Sequence, residues 1–219
     1  MTESTGKRWT HPVRRLALLC AGLIIMAFGV AFSIKAALGT SPISSVPYVT
    51  ARRSGLSVGT TTIIMNFLFV LIQIAILRRQ YEWFQLLQFP AAVLFGVMID
   101  VAEAVLAPLP AGNYAQQWLL CAAGIFFIAL GVCVEVMANL VTTAGEGIVL
   151  AICKVVPVKF GNMKMAFDIT LVCISIVLSL LFLGQLDGVR EGTVAAALLV
   201  GQITKRFQPL MKTLERAVL

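Results

Sequence analysis

Thr40, Ser41 and Pro42 follow a long apolar run in "IKAALGTSPISSVPYV" (Ile34–Val49), and Thr142, Thr143 and Glu146 follow another in "LVTTAGEG". These residue types do one thing well where a membrane helix ought to be ending. A hydroxyl at a helix N-cap satisfies a free backbone amide, and proline fits the first turn because no donor is needed there. A glycine such as Gly39 permits the sharp bend in front of it. The helix start that results carries exposed N–H groups and partial positive charge, which suits a ligand with anionic or acceptor groups. Non-helical backbone at membrane depth is tolerated only where it is buried in protein or lines a water-filled cavity. Thr40, Ser41, Pro42, Thr142, Thr143 and Glu146 are therefore candidate ligand contacts. Two tight loops at the membrane surface are the plainer alternative.

Glu135, Glu146 and Asp168 add carboxylates inside apolar stretches. Ionisable groups there are costly and mark proton or ion sites by default, so all three are candidates for proton or ion coupling. Lys164 stands four residues before Asp168, one helical turn away, and a structural ion pair is the competing role. Asn66 is the polar counterpart of Asp168 in the first half of the chain, and both are candidate substrate contacts as well. Lys35, Asp100 and Glu103 sit close enough to segment ends to reach the interface.

Other chemistries find no support. His11 is the single histidine and lies in a basic N-terminal tail. Five cysteines lie within apolar runs without CxxC spacing, as small core residues do. No nucleophile–base pair, nucleotide loop or metal-ligand cluster is visible, so an enzyme, a cofactor and a metal are not expected. The net charge of +7 does not indicate nucleic acid, because the basic residues gather at the ends of apolar blocks.

The elements that must hold these residues are membrane helices. Of 219 residues, 59% are hydrophobic and 12% charged, about half the charge of a soluble domain. Apolar segments fall at 16–38, 60–77, 87–107, 118–140, 162–183 and 190–204, and a span takes roughly 20 residues. The intervals 40–57 and 142–159 are shorter and interrupted, and read as broken or re-entrant segments. Basic tails at 1–15 and 205–219 and an external loop at 108–117 complete the chain. The positive-inside rule then places both termini in the cytoplasm, with Arg52 and Arg53 as the exception outside.

An internal echo organises the segments. At an offset of 102 residues Gly29 meets Gly131, Leu38 meets Leu140, Thr40 meets Thr142, Gly59 meets Gly161 and Asn66 meets Asp168; with three residues inserted, Gly96 meets Gly201. The expected fold is an all-α polytopic membrane protein of about six transmembrane helices, arranged as two inverted three-helix repeats, each with a broken segment. That plan belongs to transporters with midplane binding sites. The expected function is a small secondary transporter of a polar or charged solute, with proton coupling as an option. A passive channel, a non-transporting scaffold and, more remotely, a membrane enzyme are the rivals. The partners are the lipid bilayer and a small-molecule solute; a homodimer is left open, and nucleic acid is not expected.

"IKAALGTSPISSVPYV" and "GVREGTVAAALLVG" (Gly188–Gly201) resemble motifs of the YczE/YyaS/YitT family of bacterial integral membrane proteins, and the YyaS-like branch most of all. "TTAGEGIVLAI" and "FGNMKMAFDITLV" are similar to that branch's intervening segments. The resemblance runs over roughly residues 14–207. It implies a multi-pass protein of the bacterial plasma (inner) membrane with five or six spans. It also implies a role for Arg190 and Glu191, which belong to a recurrent motif, as an ion pair or an outer gate.

Overall fold

The computed structural model describes residues 11–218. Lys7 and Arg8 of the basic N-terminal cluster, and the side chains of Lys212 and Arg216 at the other end, lie outside what is described. Among the described residues eight α-helices follow in order: α1 (Pro12–Ala36), α2 (Pro42–Ser54), α3 (Val58–Leu77), α4 (Gln88–Leu106), α5 (Tyr114–Ala138), α6 (Ala144–Val155), α7 (Phe160–Leu183) and α8 (Glu191–Val218). Short 3₁₀ turns at Arg78–Gln80 and Trp83–Leu87 connect α3 to α4. No strand occurs among the described residues.

Among the described residues five stretches are long and apolar enough to cross a bilayer: Pro12–Ala36, Val58–Gln80, Trp83–Leu106, Tyr114–Ala138 and Phe160–Leu183. They match the first five expected segments to within a few residues. The sixth, 190–204, becomes the first half of α8 and runs without a break into Lys205 and Arg206. The first helix overlaps the end of the expected tail at 1–15. Helix α1 starts at Pro12, and Arg15 is buried (1% exposed) with its guanidinium on the carbonyl of Ala138 at the end of α5.

Helix boundaries recur at a fixed interval. Helix α1 starts at Pro12 and α5 at Tyr114, so 114 − 12 = 102. The same interval separates their ends, Ala36 and Ala138, and the starts of α2 and α6 at Pro42 and Ala144. It also separates the starts of α3 and α7 at Val58 and Phe160. Both long helices terminate on a left-handed residue, Ala37 with φ 56° and Asn139 with φ 45°.

Helices α1 and α5 form the centre, packed antiparallel through glycines. A Cβ on Gly22 would lie 3.0 Å from the Gly131 carbonyl, and one on Gly131 would lie 2.7 Å from the Gly22 carbonyl. Gly29 and Gly124 meet in the same reciprocal way, each 2.9 Å from the other's carbonyl oxygen. Small residues permit such backbone approach, which is how membrane helices gain contact without a hydrophobic drive between them. Around this seam α4 packs on α1 and α8 on α5, while α2 lies against α7 and α6 against α3. Helices α3 and α4 close on each other at Gly59 and Gly96, but Gly161 and Gly201 face open space.

Asp100 sets the register of α4 against α3. Its carboxylate accepts from the Ser57 hydroxyl and the Gly59 amide, both at 2.7 Å, and so completes the cap of α3. At the same end of the molecule Lys35 donates to the Ala107 carbonyl at 2.7 Å, engaging the last turn of α4.

Candidate functional site

Ser41 and Thr143 occupy the N-cap positions of the two short helices, as their sequence context suggests. Their hydroxyls, however, do not cap. Ser41 Oγ donates to Ser44 Oγ, and the amide of Thr143 donates to the Glu135 carboxylate at 2.5 Å. Pro42 is buried at the first position of α2. The bend before α2 needs Gly39 for two reasons. Its φ is 94°, and a Cβ there would lie 2.6 Å from the Arg190 amide.

The two breaks meet. A cavity of about 50 Å³ between them is lined by Ser41, Ser44, Thr62, Asn66 and Thr143, with Met65 and Phe95 among its apolar walls. Next to it, a gap of about 10 Å³ is bounded by Asn66, Gln88, Ala92 and Thr143. Beyond Gln88 the protein opens into a vestibule of about 440 Å³, whose walls include Gln73, Gln85, Gln88, Glu135, Thr142 and Lys154. Gly147 lets α6 approach this polar wall, since a Cβ there would lie 2.6 Å from Gln73 Oε1 and 2.8 Å from Gln88 Nε2. Gln73 in turn donates to the Ala144 carbonyl at 3.0 Å.

The opposite end is shut. The chain entering α8 lies over the first break: the Gly188 carbonyl accepts from the Thr40 amide at 3.0 Å and the Thr40 hydroxyl at 3.3 Å. The Gly192 amide donates to the Leu38 carbonyl at 2.8 Å. Arg190 adds a 3.0 Å hydrogen bond to the Ala37 carbonyl and a 3.3 Å ion pair with Glu191. Arg52 pairs with Asp187 at 3.4 Å beside it. By element order, the counterpart of this entry segment is Trp83–Leu87 before α4. Its residues Phe84 and Gln85 line the vestibule, as do Leu140 and Thr142 of the second break.

The residues singled out in the sequence thus separate into groups. Ser41, Asn66 and Thr143 come together around the central cavity, and Glu135 and Thr142 line the vestibule. Thr40 is buried in the seal, which also contains Arg190. Glu146 sits in the first turn of α6, within electrostatic range of Glu135, Lys164 and Asp168, but lines none of these three cavities. Asp168 lines none of them either and is held by Lys164 at 2.5 Å. Gln73, Gln85 and Gln88 are polar wall residues that the sequence reading missed. The signal was available: amides, like carboxylates, are expensive within apolar helices.

Five bilayer-length apolar helices and a buried polar interior define a polytopic integral membrane protein. A family model described as a family of unknown function, DUF6198, matches residues 13–209, and the chain belongs to that family. It is 30% identical over 212 residues to the uncharacterized membrane protein YczE of Bacillus subtilis (strain 168), covering 95% of this chain and 89% of that one. It is 26% identical over 193 residues to the uncharacterized protein YyaS of the same organism, covering 87% and 90%. These are two of the names in the family resemblance drawn from the motifs. No solved structure matches.

Proposed function

We propose that the protein is a small secondary transporter of a polar or charged small solute in the bacterial plasma membrane, built as two inverted repeats with both termini cytoplasmic. The observation that carries the reading is the inequality of its two ends. Equivalent helix breaks meet at the centre, yet one end is sealed by Gly188–Thr193 and the other holds a vestibule of about 440 Å³. Inverted repeats allow the second state to be the first with the roles of the halves exchanged.

Several features support the duplication. Helix boundaries recur at 102 residues, and the reciprocal contacts Gly22–Gly131 and Gly29–Gly124 are those of a two-fold axis between α1 and α5. Helices α2 and α6 have 13 and 12 residues. At 1.5 Å per residue they reach roughly 20 and 18 Å, short of the ~30 Å hydrocarbon core. As re-entrant elements they leave three crossings per half, with the apolar start of α8 as the sixth, and an odd number inverts the second half. The vestibule end carries Arg78, Arg79 and Lys154, which the positive-inside rule assigns to the cytoplasm. Arg52, one of the two exceptions in that count, pairs with Asp187 on the opposite side. Glu135 and Glu146 are the carboxylates left for coupling, since Asp168 already has Lys164.

Reconstitution into liposomes tests this. Uptake of a labelled solute panel is measured with and without an imposed proton gradient. Gradient-driven accumulation of one solute class is the expected result. Equilibration indifferent to any gradient indicates a channel, and absence of flux across the panel removes the transport reading.

A further inference from the structure

We infer that the vestibule binds a small organic cation carrying several N–H donors, a primary ammonium compound, with Glu135 as its counter-charge; the inference rests on the transport reading and names the substrate class.

The wall residues carry three buried oxygens that have no hydrogen-bond partner. Glu135 is 2% exposed and its Oε1 takes the Thr143 amide, while its Oε2 has no hydrogen-bond partner. Gln88 is 3% exposed, and its Oε1 is likewise unpartnered. Gln85 Oε1 is a third buried oxygen without a partner. All three side chains belong to the wall of one cavity of about 440 Å³, a volume within the range that holds small-molecule ligands.

A buried acceptor left unmade costs the full desolvation of that oxygen. Three side chains that each carry such an oxygen line one space, and a group that donates in several directions is what would satisfy them. An anion is repelled by Glu135, and a neutral polyol donates but leaves the carboxylate without a counter-charge. A metal ion prefers a tighter, more oxygen-rich shell than one carboxylate and two amides, and no group of three or more metal-binding side chains of the histidine, cysteine, aspartate or glutamate type occurs among the described residues. A primary ammonium supplies three donors and one positive charge. The opposing charge in the wall, Lys154, is exposed, and Glu82 stands in the same wall.

The test uses the full-length protein in detergent, with thermal stability followed against four probes of one skeleton. These are ethanolamine, choline, ethylene glycol and glycolate. Ethanolamine is expected to stabilise at a concentration about tenfold or more below choline, which has the charge without N–H donors, with no effect from the other two. Glu135→Gln should raise the half-maximal ethanolamine concentration roughly ten- to a hundredfold, the span of a charged hydrogen bond. Gln88→Leu, which keeps the carboxylate, should raise it several-fold and guards against an unfolded Glu135 variant. Equal responses to ethanolamine and choline overturn the donor argument. Stabilisation by glycolate or ethylene glycol alone overturns the cation argument while leaving transport intact. No response to any probe, together with proteoliposome flux of a non-amine solute, also overturns the inference, whereas no response with no flux of any solute removes the transport reading beneath it.

Discussion

Gly131→Ala places a methyl group where α1 and α5 touch backbone to backbone, and its cost can be worked out from the contacts. The new Cβ would lie 2.7 Å from the Gly22 carbonyl and the Met26 amide nitrogen and 2.8 Å from Met26 Cβ. Ordinary contact begins at 3.4 Å, so the helices must part by about 3.4 − 2.7 = 0.7 Å. Two of the three obstacles are main-chain atoms, which cannot rotate away. Overpacking of this kind costs about 1–3 kcal/mol, against which alanine regains roughly 0.5–1 kcal/mol of helix propensity over glycine. Gly201→Ala receives the propensity gain alone, because nothing lies within 4 Å of its Cβ position. The quantity to measure is therefore the stability difference between the two variants, from reversible unfolding in mixed micelles followed by tryptophan fluorescence. Gly131→Ala should fall about 1–3 kcal/mol below Gly201→Ala. If it equals or exceeds Gly201→Ala, the close seam is wrong, and with it the two-fold argument.

Asp100→Asn should weaken the cap of α3 by about 0.5–2 kcal/mol, read as faster amide exchange at Gly59 and Thr60; unchanged exchange would count against the cap. Arg190→Gln removes the guanidinium from the Ala37 carbonyl. In a chain carrying Ser41→Cys and none of the native cysteines, it should speed labelling of position 41 by an impermeant maleimide added outside, and an unchanged rate would argue against an outer seal. Asp168→Asn should leave the ligand-induced thermal shift in place, since Asp168 pairs with Lys164 and lines none of the three cavities described; loss of the shift would return Asp168 to the site.

The helices and their breaks were legible because they depend on local chemistry. Apolar runs located the spans, and "LGTSP" and "TTAG" located the starts of α2 and α6 to within a residue or two. The 102-residue echo placed Ser41 opposite Thr143, where both line the central cavity. What escaped were interactions between residues far apart in the chain. Arg15 read as tail charge because its partner, Ala138, is 123 residues away. Asp100 read as interfacial because Ser57 and Gly59 lie on another helix. Glu135, Glu146 and Asp168 read alike as coupling candidates, although the orphaned oxygen belongs to Glu135 alone. Gln73, Gln85 and Gln88 carry no formal charge, and a search for charges passes over them.

The glycine seam has a mechanical consequence. When rigid halves rock about an axis, each atom travels in proportion to its distance from that axis. In the proposed two-fold arrangement the contacts Gly22–Gly131 and Gly29–Gly124 sit near the hub, so a turn that opens one end barely separates them. The rim travels furthest, and there α7 buries only Leu171, Ser175 and Ser179. On the proposed transport reading, a hub that cannot slide and a rim that faces lipid make the long helices levers.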